Sequence, residues 1–151
     1  MCAFPVTQRP ATFEERGRGV AAFEGDVAVV ELIAPHIGGA VLGDGSLLPV
    51  HQKIDGAPSV LYDAVAILAS ADGAALLAAD ATAKDFVSDA HAHGKFIAYH
   101  PDAQVLLEAA GVAAHLDEGY TALAKRTAAA DFVESCRGVR YWARTHAVEQ
   151  T

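Results

Sequence analysis

Short runs of β-type residues alternate along this chain with alanine-rich runs of helical composition, and that alternation restricts the fold more than any other feature. Val27-Ala28-Val29-Val30-Glu31-Leu32-Ile33 reads as a strand, ended by Ala34-Pro35. Ala64-Val65-Ala66-Ile67-Leu68-Ala69 is a second, Phe96-Ile97-Ala98-Tyr99 a third, and Val112-Ala113-Ala114 a candidate fourth. Near-continuous apolar runs of this length mark strands covered on both faces, as parallel strands between two helix layers are. Cys2 to Val6 is a further candidate, weakened by Pro5, which cannot donate to a ladder.

Helical runs fill the intervals. Ala11 to Phe23 sets Phe13, Val20 and Phe23 at roughly helical spacing, although Gly17 and Gly19 weaken it by about 1 kcal/mol each relative to Ala. Gly73 to Ala79 follows Asp72, and Thr82 to Ala92 follows Asp80, each acid an N-cap candidate. Phe86, Val87 and Ala90 give the second of these an inward stripe, and Gly94 gives it a stop. Ala103 to Ala110 ends at Gly111, and Ala128 to Cys136 at Gly138. This spacing implies right-handed crossovers and an α/β fold, a three-layer αβα sandwich around a mostly parallel sheet. One insertion breaks the rhythm over residues 39–52, where Asp44-Gly45 stands between apolar runs, a β-hairpin signal.

At 151 residues, 52% hydrophobic and 20% charged, the chain reads as one globular domain over 1–151. Its formal net charge of -8 argues against nucleic acid or an anionic membrane as a partner, because both need clustered cations to displace counterions. Lys125, Arg126, Arg137, Arg140 and Arg144 gather late in the chain, where they read as a solvated helix face. The longest apolar stretch, Val60 to Ala81, is interrupted by Asp63, Asp72 and Asp80 and cannot span a bilayer. Met1 to Pro10 lacks the basic start and continuous apolar run of a signal peptide. Cys2 and Cys136 are too sparse for a disulfide framework, so a reduced, cytoplasmic setting is expected.

Asp44-Gly45-Ser46-Leu47-Leu48-Pro49-Val50, followed by Gly56-Ala57-Pro58-Ser59-Val60-Leu61-Tyr62-Asp63-Ala64-Val65, is similar to the segment that opens the C-terminal domain of large-subunit haem catalases. Phe86-Val87-Ser88-Asp89-Ala90-His91-Ala92-His93-Gly94-Lys95-Phe96-Ile97-Ala98 resembles that family's next block, a helix leading into a Lys-x-Ile strand. Glu118-Gly119 and Arg140-Tyr141-Trp142-Ala143-Arg144 resemble its closing features. The resemblance runs in order from Val27 to Arg144. It implies a flavodoxin-like fold, related to class I glutamine amidotransferase-like and ThiJ/PfpI proteins. Before Val27 the match is poorest: residues 1–25 hold Pro5, Pro10, Gly17, Gly19 and Gly25 and read as a divergent or degraded first strand-helix unit.

Large-subunit catalases break down hydrogen peroxide at a haem held in an N-terminal barrel domain, so the resemblance implies no haem site in this stretch. No cofactor is expected here. Tyr62, Tyr99, Tyr120 and Tyr141 are present, but a tyrosine that ligates haem needs a large apolar pocket and a cation to keep it phenolate. ThiJ/PfpI-type enzymes set a Cys on a tight strand-to-helix turn beside a His or an acid. The equivalent turn here reads Tyr99-His100-Pro101-Asp102, without Cys, Ser or Thr. Tyr99 is a poor nucleophile, since the reference phenol pKa is about 10. His100 and Asp102 form either a polar pair in a residual cleft or caps for the following helix.

The remaining candidates are plainer. Cys2 sits where chain ends fray, and Cys136 lies in a predicted helix as a small buried apolar group. His91 and His93 are separated by about 200° around a helix and do not chelate one ion together. His36, His51, His115 and His146 lack a partner at ligand spacing, so no metal is assigned. Gly38-Gly39 and Asp72-Gly73 make no phosphate loop. The function expected from the resemblance is a non-catalytic accessory domain, chaperone-like or stabilising an oligomer, whose partner is a second copy or a catalase core. The alternative is a residual ThiJ/PfpI-type hydrolase or glyoxalase using His100 and Asp102.

Overall fold

The computed structural model describes residues 2–5, 30–41 and 45–144. The predicted helix from Ala11 to Phe23 and the first half of the Val27–Ile33 run lie outside these residues. Strands β1 (Cys2–Pro5), β2 (Val30–Ala34), β5 (Gln52–Lys53), β6 (Ala64–Ile67), β7 (Phe96–Tyr99) and β8 (Tyr120–Ala122) form one sheet in the order β5-β2-β1-β6-β7-β8. Every neighbouring pair in it is parallel. The expected insertion is present: β3 (Ala40–Val41) and β4 (Leu47–Leu48) pair antiparallel as a hairpin of their own.

Side chains of the strands alternate between two cores. Ile33, Val65, Ile67 and Ile97 point to one face and pack with helices α1 (Ala71–Ala79), α2 (Ala81–Ala92) and α3 (Gln104–Ala109), through Leu77, Phe86, Val87, Leu106 and Leu107. Leu32, Ala64, Ala66, Phe96 and Ala98 point the other way, toward helix α4 (Arg126–Cys136) and the hairpin residue Ala40. The alanines on that face leave room for the fully buried ring of Phe132, a small-against-large fit that keeps the interior close-packed. Helices on both faces of a parallel sheet make the αβα sandwich that the alternation predicts. No helix among the described residues is long and apolar enough to cross a membrane.

The structure corrects four local expectations. Val112-Ala113-Ala114 is no strand: Ala113–His115 is a 3₁₀ turn, and the edge strand is Tyr120–Ala122. Val112 instead closes α3. Gly111 adopts φ +76, its N–H donates to the Glu108 carbonyl, and the Val112 N–H donates to the Leu107 carbonyl, so Val112 packs back on the core as the hydrophobic residue of a Schellman motif. The cap of α1 is Ser70 rather than Asp72, its Oγ accepting from the Gly73 N–H at 3.3 Å. Pro5 does not abolish its strand, because it stands at the last position, where a missing donor matters least. Cys2 is placed in a strand: it begins β1, which pairs with β2 on one side and β6 on the other.

Candidate functional site

In an open parallel sheet the carboxyl ends of the strands are where ligands bind. The bend leaving β7 there is tied down on both sides: the His100 N–H donates to the Ile67 carbonyl (2.9 Å), and the Leu123 N–H to the Tyr99 carbonyl (2.8 Å). His100 has φ -69 and ψ 141, ordinary extended backbone, and leads into the 3₁₀ turn Pro101–Ala103. A nucleophile elbow, by contrast, holds its nucleophile on a strained strand-to-helix turn. His100 Nδ1 accepts from the Asp102 N–H at 3.3 Å and lies 3.5 Å from Asp102 Oδ2, with the two side chains 41% and 49% exposed. So His100 caps its own turn through Nδ1, and the Asp102 carboxylate lies beside it in solvent-exposed contact. Tyr99 is partly buried against the core. On the neighbouring bend after β6, the Ser70 hydroxyl is used as the α1 cap. The structure thus gathers Tyr99, His100 and Asp102 at one strand end, the histidine and acid in contact.

A second cluster lies at the edge of the sheet. Arg144 is 4% exposed and grips Asp117 with two parallel bonds, Nε to Oδ2 and Nη2 to Oδ1, both 2.6 Å. Its Nη1 donates to the Lys95 carbonyl at 2.8 Å. The guanidinium carbon stands 4.8 Å from the centre of the Tyr120 ring and 5.5 Å from that of Tyr141, within cation–π range of both. His91 Nδ1 and the Tyr120 hydroxyl are 2.7 Å apart, and the His91 and His115 rings have centroids 6.4 Å apart. His93 turns elsewhere, with Nδ1 2.8 Å from the Asp89 carbonyl. Bidentate Arg–carboxylate pairing with stacking is a role that Lys cannot fill.

Electrostatics follow from this packing. Burial works to raise the Asp117 carboxyl, but the Arg144 guanidinium and the Gly119 N–H override it and hold the group below the usual carboxylate range. Burial, and then the nearby Arg144 charge, pulls the His91 imidazole below 6.5. Burial raises the Tyr120 phenol. Against the same core, nearer β2, burial and the Glu31 carboxylate raise the Tyr62 phenol, whose hydroxyl donates to Glu31 Oε2 at 2.8 Å. Sequence reasoning missed this edge latch. Asp117-Glu118-Gly119 was its one local signal, an Asx turn in which Asp117 Oδ1 accepts from the Gly119 N–H at 2.8 Å. Among the described residues, no three His, Cys, Asp or Glu side chains converge as a metal site would require.

A family model described as the C-terminal domain found in long catalases matches residues 6–146. Catalase C of Rhizobium meliloti is 47% identical over 130 residues, which cover 86% of this chain and 18% of that protein. The chain spans less than a fifth of the length of the curated catalases it matches. Among solved structures, oxidized DJ-1 of Toxoplasma gondii superposes with a TM-score of 0.74 at 13% identity, covering 97% of this chain and 95% of that one. A ThiJ/PfpI domain protein of Brachyspira murdochii gives 0.66 at 16% identity, covering 91% and 95%. At such identities the structural likeness shows the fold alone, a flavodoxin-like sandwich.

Proposed function

The chain belongs to the family of C-terminal domains found in long catalases, and from that premise we propose that it acts as an accessory domain, protecting a catalase body by packing against it and performing no reaction itself. The observation that carries this reading is the bend after β7. It holds neither a Cys thiol nor a Ser or Thr hydroxyl, its backbone is relaxed, and the His100 ring nitrogen nearest Asp102 is occupied as a cap.

Haem chemistry fits the residues poorly. A tyrosine ligand to haem iron works as phenolate, whereas burial keeps the phenols of Tyr62 and Tyr120 protonated and hydrogen bonds already occupy them. We therefore place peroxide breakdown in the body of the long catalase. The protective role, chaperone-like in shielding partly unfolded partner surface, is the finer part of the proposal. A residual ThiJ/PfpI-type activity has one observation in its favour, the contact between His100 and Asp102.

The test is to purify the chain, titrate it with haem and follow the Soret region, then assay peroxide breakdown and methylglyoxal consumption for the wild type and His100→Ala. The proposal expects background rates in every arm. A Soret band with peroxide turnover, or methylglyoxal turnover lost in His100→Ala, would overturn it.

A further inference from the structure

We propose that the end of the sheet at which β6 and β7 begin is the face by which this domain docks on the body of a long catalase, an inference that rests on the accessory reading. Four exposed large apolar residues lie there: Val60 (41%) and Leu61 (63%) before β6, and Val139 (53%) and Trp142 (59%) in the segment after α4. Hydrogen bonds bring these stretches together. Lys95 Nζ reaches the Val60 carbonyl at 3.5 Å, the Tyr141 N–H donates to the Gly94 carbonyl at 2.7 Å, and Arg140 Nη1 donates to the His93 carbonyl at 2.6 Å. Residues 60, 93–96 and 138–144 therefore meet at the amino ends of the strands, opposite the bend of Tyr99 and His100.

The backbone supplies a second observation. Val139 has φ +63 and is the one non-glycine with positive φ among the described residues. A β-branched residue is among the least suited to that region, and strain of this kind collects at binding and switch sites. Trp and Arg are the residue types enriched at protein–protein hot spots, and Trp142 and Arg140 both belong to this segment. The charges nearby in sequence are of both signs, Arg140 and the Arg137–Glu134 ion pair at 2.7 Å.

Charge and the architecture of the relatives select the occupant. Two copies each carrying a formal net charge of -8 repel as they approach, which disfavours a second copy as the occupant. A domain joined to its partner in one chain works at an effective concentration in the millimolar range, where a small patch suffices. In the curated relatives the matched stretch is 18% of a longer catalase chain, so the occupant is the rest of that chain.

The experiment exchanges the matching segment of Rhizobium meliloti Catalase C for this chain and places a photo-crosslinking residue at position 142, 61 or 76. Leu76, 64% exposed on α1, serves as the control, since α1 packs beside the Pro101–Ala103 turn at the other end of the sheet. The proposal expects adducts with the catalase body at 142 and 61, at least tenfold above 76, and a monomeric free chain in sedimentation. Adducts between two copies of the domain, with a dimeric free chain, would overturn it. Adducts with the body from 76 but not from 142 or 61 would reject this face and leave the accessory reading standing. The absence of any adduct, together with unchanged heat tolerance when the domain is removed, would reject both.

Discussion

Gly119 has no room for a side chain: a Cβ there would collide with Arg144 Nη2 and stand 2.9 Å from Tyr141 Cβ and Cγ. Gly119→Ala must therefore displace the latch, and overpacking of this kind costs about 1–3 kcal/mol. Urea unfolding should show the midpoint fall with the slope unchanged. Val139 should behave in the opposite way. A glycine there removes left-handed strain worth about 1 kcal/mol, so Val139→Gly should raise the midpoint of the free chain. His91 sets a pH dependence. Its folded pKa lies below 6.5, so the unfolded chain takes up the proton first, and stability present above pH 6.5 is lost as pH falls through the folded value. Asp117, also depressed, adds a loss in the same direction below 3.8. Melting temperature should thus fall between pH 8 and pH 5, and His91→Gln should flatten that slope. An unchanged slope in the variant would contradict the assignment.

At the level of elements, α1 hangs on one hydroxyl. Removing the Oγ that accepts from the Gly73 N–H should cost about 1 kcal/mol, so Ser70→Ala should lower the urea midpoint while Asp72→Ala leaves it within a few tenths. The elements legible in the sequence were those whose own residues decide them. β6 and β7 are continuous apolar runs, and α2 carries its cap, stripe and stop within one segment, Asp80 to Gly94. The edge strand Tyr120–Ala122 was not legible, because three residues hold no period and its place comes from pairing with β7. Val112 misled for the same reason: β-type by composition, it is placed by the helix stop before it. The bend at Tyr99-His100 could be read, since a missing nucleophile is visible in one dimension. The latch could not, because Arg144 meets partners 27 and 49 residues away.

On the scale of the whole molecule, the parts divide the work. The two cores and the parallel sheet give a close-packed sandwich, the carboxyl end of that sheet carries the capped and relaxed turn at His100, and the amino end carries four of the exposed apolar residues, Val60, Leu61, Val139 and Trp142. A body built this way is compatible with the proposed accessory role. The most direct measurement is heat inactivation of a long catalase carrying this domain, compared with the same enzyme ending before it, with peroxide turnover normalised to bound haem. Equal turnover per haem at 25 °C, with a half-life at elevated temperature several-fold shorter once the domain is gone, is the predicted result. Lower turnover per haem with unchanged heat tolerance would place the domain in the reaction and contradict the account.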